Sequence, residues 1–232
     1  MPGLHLAVIT EIYERFIRIA LLCHLDHLLF DVFIERQKIR TFENQENKMR
    51  KIIVSEGVSL DGVFDAQTMG QWARPFFSDE RNEFVRQGVL AADALLYGRT
   101  TYDLETYYWP NQKDDKYGMA DRMNRLPKYI VTSRPLQSQW NNSTVIKGDV
   151  LKEIARLKQQ PGKDILVKGS AMLVQALLQA GLIDGFKFIL HPVIAGSGKR
   201  FFHDGMDMTK LKLVESKPIS LGVLLLSYEP VK

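Results

Sequence analysis

Cysteine is almost missing from this chain. Among 232 residues there is one, Cys23. That excludes an intramolecular disulfide and a cysteine-rich zinc cluster, and it fits a reducing compartment such as the cytoplasm. Gly-x-Gly-x-x-Gly is absent as well, so the Rossmann dinucleotide fingerprint does not apply. No apolar stretch reaches the roughly 18–20 uncharged residues needed to cross a bilayer, which argues against a membrane protein. The leading residues Met1 to His5 carry no positive segment and no small-residue cleavage site follows them, so a secretory signal is not expected. Basic residues never form a dense run and no aromatic-basic recognition motif occurs, which disfavours nucleic acid as a partner. No repeat of 20–50 residues is visible.

What is present is the composition of an ordinary globular protein: 45% hydrophobic, 25% charged, net charge +4. A mildly basic balance suits either a plain lysine-rich surface or a ligand that bears phosphate. Residues 1–48 differ from the rest. Leu4 to Ile34 is apolar at roughly helical spacing, and Thr41 to Lys48 is a polar linker. His24 and His27 flank Asp26, a weak metal pattern when it stands alone. Met49 directly precedes the first strand-like run. The expectation is therefore an N-terminal extension over 1–48 and one domain over 49–232, with Met49 as its natural start.

From there the patterns alternate between strand and helix. Strands are predicted at Lys51–Ser55, Ala92–Tyr97, Lys128–Thr132, Ser143–Ile146 and Asp164–Lys168. Helices are predicted over Asp79–Gly88 behind Ser78, after Thr100-x-x-Asp103, after Asp149, and over Ser170–Ala180 with Gly181 as the stop. The tail holds strands at Gly185–Val193, Leu211–Ser216 and Val223–Tyr228 with no helix between them. That order predicts an α/β fold with a mixed sheet and an antiparallel C-terminal edge.

Four short segments place glycine or a hydroxyl where a strand stops: Ser59-Leu60-Asp61-Gly62, Gly98-Arg99-Thr100-Thr101, Thr132-Ser133-Arg134 and Gly169-Ser170-Ala171. Strand ends that open into helix N-termini present free N–H groups and a positive helix pole, a natural phosphate site. Several of them predict a long ligand with several phosphates, such as a dinucleotide. Arg99 brings a planar fork suited to phosphate, and Ser133 with Arg134 pairs hydroxyl and cation as a ribose 2′-phosphate would require. Gly196-Ser197-Gly198-Lys199-Arg200 reads either as a turn with a substrate-phosphate contact at Lys199 and Arg200, or as a simple hairpin-like loop.

Together these segments, with Gly169-Ser170-Ala171-Met172-Leu173 and His191-Pro192-Val193-Ile194-Ala195-Gly196-Ser197-Gly198, resemble the dihydrofolate reductase-like superfamily. The nearest likeness is to the C-terminal reductase domain of the bacterial bifunctional riboflavin-biosynthesis deaminase-reductase, over about Met49 to Tyr228. The zinc deaminase signature of that bifunctional protein, His-x-Glu with Pro-Cys-x-x-Cys, does not occur here. The resemblance implies a three-layer architecture with an eight-stranded mixed sheet flanked by helices. It also implies NADPH as cofactor, a homodimer, and hydride transfer to a small heterocyclic or sugar-derived substrate. Gly98, Arg99, Thr100 and Thr101 would hold phosphates, and Gly169, Ser170, Ala171, Met172 and Leu173 would cradle the pyrophosphate. Ser133 and Arg134 would face the 2′-phosphate, while Ser59, Asp61 and Gly62 would line the nicotinamide side.

Two departures bear on the substrate. Lys168 stands where the riboflavin enzymes place a substrate-binding acid, and their Asp-Asp-Pro-x-Leu-Thr-x-Arg segment is replaced by Gly98 to Asp103. Dihydrofolate reductases carry a proton-donating carboxylate on the helix before the Gly-Arg corner, where this chain offers Asp79, Glu80 and Glu83. The functions left open are a reductase acting on a ribosylamino-pyrimidine, a pterin or folate reductase, and a nucleotide-binding module without turnover.

Overall fold

The computed structural model describes Arg15, Ile34 and residues 49–231 except Ala66, Gln67 and Asp114. The chain divides into two units, Met1–Lys48 and Met49–Lys232. The helix-like pattern of Leu4 to Ile34 lies outside the described residues apart from Arg15 and Ile34, both helical, and so does the group His24, Asp26 and His27.

The second unit is a three-layer α/β sandwich around one eight-stranded sheet. In chain order the strands are β1 (Ile52–Ser59), β2 (Ala92–Gly98), β3 (Lys128–Val131), β4 (Ser143–Ile146), β5 (Asp164–Val167), β6 (Gly185–His191), β7 (Leu211–Pro218) and β8 (Leu224–Pro230). Their order across the sheet is β4-β3-β2-β5-β1-β6-β8-β7. The run from β4 to β6 is parallel, and β8 is antiparallel to both β6 and β7. The expected mixed sheet with its antiparallel edge is what forms. β1 lies in the middle, pairing Ile52 with Ile165 on one side and Ile53 with Gly185 on the other.

Six helices complete the layers: α1 (Met69–Trp72), α2 (Asp79–Ala91), α3 (Arg99–Tyr108), α4 (Met119–Arg125), α5 (Val150–Lys158) and α6 (Ala171–Gln179). β2 and β5 carry unbroken apolar runs because helices cover both their faces; Ala94 to Tyr97 of β2 and Ile165 to Val167 of β5 are all buried. Ile154 and Leu157 of α5 and Leu173, Val174 and Leu177 of α6 pack with Ile52, Val54 and Val167 in one core. Tyr102, Trp109 and Met123 pack with Leu95, Tyr97 and Leu166 in another. Each such fully buried side chain contributes about 1.5–3 kcal/mol relative to exposure.

Local signals set the helix ends. Ser78 accepts from the Arg81 N–H at 3.2 Å, and Asp149 from the Lys152 N–H at 3.2 Å, as N-caps do. Gly181 stops α6 at φ +65°, a conformation that suits a residue without Cβ. The capping box expected at Thr100 and Asp103 does not form. The N-cap of α3 is Gly98, and Asp103 instead accepts from the Arg99 side chain one turn back. Lys128 opens β3 fully buried, its ammonium donating to the carbonyls of Asn124, Leu126 and Asn141 at 2.7–3.1 Å with Trp140 beneath it.

Candidate active site

Two of the glycine corners meet. Gly98 is the N-cap of α3 and Ser170 that of α6, and neither helix start is capped by a side chain. The Gly98 N–H donates to the Gly169 carbonyl at 2.8 Å. There is no room for side chains between them: a Cβ on Gly169, at φ +72°, would lie 2.6 Å from Thr101 Oγ1. Two helix N-termini therefore sit side by side, their first-turn N–H groups and positive poles directed to one place.

At this contact lies a groove of about 610 Å³, lined among others by Gly98, Arg99, Thr100, Ser133, Arg134 and Ser170. Met172 and Leu173 form part of its wall. Three of the four segments singled out from sequence thus converge, as a phosphate-rich ligand requires. Arg99 is anchored through Nε to Asp103 at 2.5 Å and through Nη1 to the Pro135 carbonyl, which fixes its fork at the groove. Arg134 is exposed and makes no ion pair among the described residues; a Thr132 hydroxyl turn shapes its backbone, accepting from the Arg134 N–H at 3.1 Å.

Neighbouring residues of the same corner, Thr101 and Lys168, line a cleft of about 470 Å³ together with Glu105, Glu56, Trp109 and Arg81. That volume suits a ring-sized ligand. Lys168, the residue following β5, pairs with Glu105 of α3 at 3.0 Å. The second oxygen of Glu105 accepts from Tyr97 Oη at 2.7 Å and Trp109 Nε1 at 3.0 Å. Glu56 stands on β1 beside this pair, buried, with Oε1 lacking any hydrogen-bond partner. Burial pushes its carboxyl well above the usual carboxylate range; Lys168 and a hydrogen bond from the Gly169 backbone only partly oppose that, and Glu105 adds to it. Glu56 escaped the sequence reading, which closed the first strand at Ser55. The signal was there: period-two alternation puts Glu56 in one row with Ile52, Val54 and Val58, all buried.

Ser59, Asp61 and Gly62 do not line either space. Ser59 is fully buried, donating to Asp61 at 2.6 Å and accepting from the Val63 N–H at 2.8 Å. The Asp61 carboxylate accepts from the Ala195 and Gly196 N–H groups at 3.0 and 2.9 Å. Those bonds, the Ser59 hydroxyl foremost, lower its pKa to about 2. This segment clamps the end of β1 to the turn after β6, so its role is to build the loop. Arg200 belongs to the same clamp, donating to the Asp61 carbonyl, and neither it nor Lys199 reaches the cleft lining.

Asp79, Glu80 and Glu83, from which the acid was expected, lie outside the cleft lining too. Asp79 accepts from Tyr117 and Lys116, Glu80 from the Ser220 N–H, and Glu83 from Arg86 and Gln87. Each of these contacts lowers the acid's pKa, the opposite of what a proton donor needs. α2 presents Arg81 and Asn82 to the cleft instead. Among the described residues no group of acids, histidines or cysteines could hold a metal, and no helix is long and apolar enough to cross a membrane.

The family model for the RibD C-terminal domain matches residues 50–225. A Bacillus subtilis (strain 168) relative, described as uncharacterized protein YyaP, is 33% identical over 184 residues, 78% of this chain and 95% of its own length. Two solved structures share the fold at low identity. One is a diaminohydroxyphosphoribosylaminopyrimidine deaminase/5-amino-6-(5-phosphoribosylamino)uracil reductase from Thermotoga maritima, with TM-score 0.56 and 17% identity over 79% of this chain and 57% of that one. The other is dihydrofolate reductase from Enterococcus faecalis complexed with NADP(H), with TM-score 0.52 and 12% identity over 78% of this chain and 97% of that one.

Proposed function

This chain belongs to the RibD C-terminal domain family, and from that premise we propose that it is an NADPH-dependent oxidoreductase that reduces a small heterocyclic substrate. The reduction of 5-amino-6-(5-phosphoribosylamino)uracil in riboflavin biosynthesis is the candidate reaction. The observation that carries this reading is that adjacent residues of the Gly98–Ser170 corner line both the groove and the cleft. Thr100 lines the groove and Thr101 the cleft, Ser170 the groove and Lys168 the cleft. One elongated ligand can then lay its phosphates on the two uncapped helix starts while its ring reaches the cleft.

The residues present fit NADPH. The N–H groups at the starts of α3 and α6 would take the pyrophosphate, and Ser133 with Arg134 the 2′-phosphate. When bound, this cofactor supplies the hydride. The protein's part is to hold donor and acceptor carbons at about 3–3.5 Å and to keep water out. A pterin-type reductase with an acid from Asp79, Glu80 or Glu83 finds no support in their positions. The reading extends to a homodimer and to residues 49–232 as the working domain, which light scattering and a chain starting at Met49 would test.

Titration of the protein with NADPH and NADH, followed by cofactor fluorescence, tests the cofactor. Tighter binding of NADPH is expected, and a preference for NADH would overturn the role given to Ser133 and Arg134. Cofactor oxidation with 5-amino-6-(5-phosphoribosylamino)uracil and with dihydrofolate as acceptors then separates the substrate classes.

A further inference from the structure

We propose that Glu56 is the acid of this site: its carboxyl, on a residue of the cleft lining beside Lys168 and with Oε1 buried and unpartnered, donates the proton that the acceptor takes up next to the carbon receiving hydride. Lys168, held by Glu105, is the positioning residue. The inference rests on the reductase reading above and adds to it the source of the proton.

Three acids line the cleft among the described residues: Glu56, Glu105 and Asp115. Glu105 is committed at both oxygens, to Lys168 on one and to Tyr97 and Trp109 on the other. Asp115 accepts from the backbone N–H groups of Tyr117 and Ala120 and serves as the lead-in to α4. Of these three, Glu56 alone keeps a buried oxygen with no protein partner; Asp103 and Thr106 each have one as well, but neither lines the cleft. An unpaired polar atom at the edge of a cleft costs about 1–3 kcal/mol, a cost that a hydrogen bond to substrate would remove. His191 also has an unpartnered buried nitrogen, but it is fully buried against Trp72 and Phe76 and lies outside the cleft lining.

The groups facing Glu56 set its charge. Burial disfavours the carboxylate most and Glu105 from α3 adds to it, and together they outweigh Lys168 from the end of β5 and the Gly169 backbone, which favour it. Glu56 in turn raises Tyr97 of β2, after burial and Glu105. The carboxyl thus retains its proton at pH values where an exposed glutamate has lost it. In the step itself the Glu56 O–H bond breaks and an N–H or O–H bond forms on the acceptor. The hydride forms the new C–H bond and brings both electrons from the nicotinamide cofactor. Glu56 is left as carboxylate beside the Lys168 ammonium and regains a proton from water at the cleft mouth.

Infrared spectroscopy of the full-length protein, titrated in pH without added cofactor or substrate, reads the carboxyl directly. A protonated carboxyl band that persists above the pH range in which exposed glutamates ionise, and that is missing in Glu56→Gln, is expected. Carbon NMR of protein labelled at the glutamate carboxyl gives the same reading on the wild type alone, should the variant not fold. Ionisation of Glu56 in the ordinary range would overturn the proposal. In the second arm, Glu56→Gln binds NADPH as the wild type does, yet reduces 5-amino-6-(5-phosphoribosylamino)uracil about 10²–10⁴-fold more slowly. Its kcat loses the fall at high pH that the wild type shows, and Glu56→Asp recovers part of the rate. Unchanged turnover in Glu56→Gln sinks this inference alone. A wild type that neither binds nor oxidises NADPH sinks the reductase reading, while the infrared result still decides whether Glu56 holds a proton.

Discussion

Gly98 and Ser170 approach so closely that a Cβ on Gly98 would lie 2.8 Å from the Ser170 backbone nitrogen and 2.9 Å from its Cβ. Backbone cannot step aside as a flexible side-chain tip can. Gly98→Ala therefore forces the starts of α3 and α6 apart. A loss of about 1–3 kcal/mol is expected by urea denaturation, together with weakened NADPH binding by fluorescence titration. A variant as stable as the wild type would show that the corner can yield.

On the function proposed above, Arg134 supplies the selectivity for the phosphorylated cofactor. A charge-assisted hydrogen bond to phosphate is worth about 1.5–3 kcal/mol. Arg134→Ala should raise the Kd for NADPH about tenfold or more and leave that for NADH nearly unchanged. Equal losses for the two cofactors would remove this residue from the 2′-phosphate site.

Asp61 makes the clamp at the end of β1 sensitive to acid. Its pKa is about 2 in the folded chain against an ordinary 3.8. Its stabilisation is therefore complete above about pH 4 and is lost as pH falls toward 2. Melting temperatures at pH 6 and pH 2.5 check this. Asp61→Asn should melt below the wild type at pH 6, and the gap should narrow at pH 2.5. A constant gap would mean that the charge contributes nothing.

Lys128 is a buried cation that serves carbonyls instead of a carboxylate. Lys128→Met keeps the apolar stem but leaves the carbonyls of Asn124, Leu126 and Asn141 without their donor. Destabilisation of about 2–4 kcal/mol is expected in chemical denaturation, with cofactor selectivity unaffected. A loss below about 1 kcal/mol would show that water replaces the ammonium.

Much of the scaffold was legible because its signals are local. Leu95 to Tyr97 and Ile165 to Val167 are apolar runs of strand length, and Leu173, Val174 and Leu177 mark one helical face that does reach the core. The groove followed from residue types at strand ends, since Gly98, Ser133 and Ser170 each sit where a parallel strand finishes. What the sequence alone does not show depends on a distant partner or on an ambiguous periodicity. Asp61 looked like a ligand contact, yet its partners Ala195 and Gly196 come from a loop 134 and 135 residues away. On α2 the spacing does not say which side meets the cleft; Arg81 and Asn82 line it, and Asp79, Glu80 and Glu83 do not. α4 left no clear trace, because it starts from a left-handed Gly118 and an Asp115 carboxylate bound to the Ala120 N–H.

The central position of β1 has a cost during synthesis. This strand leaves the ribosome before any other strand of the sheet, yet both its neighbours, β5 and β6, come from the second half of the chain. Until they emerge, Ile52, Val54 and Glu56 have nothing to pair with. The nascent polypeptide must carry the proposed acid and a central strand of its sheet unpaired until the second half of the chain emerges, as folds dominated by long-range pairing do.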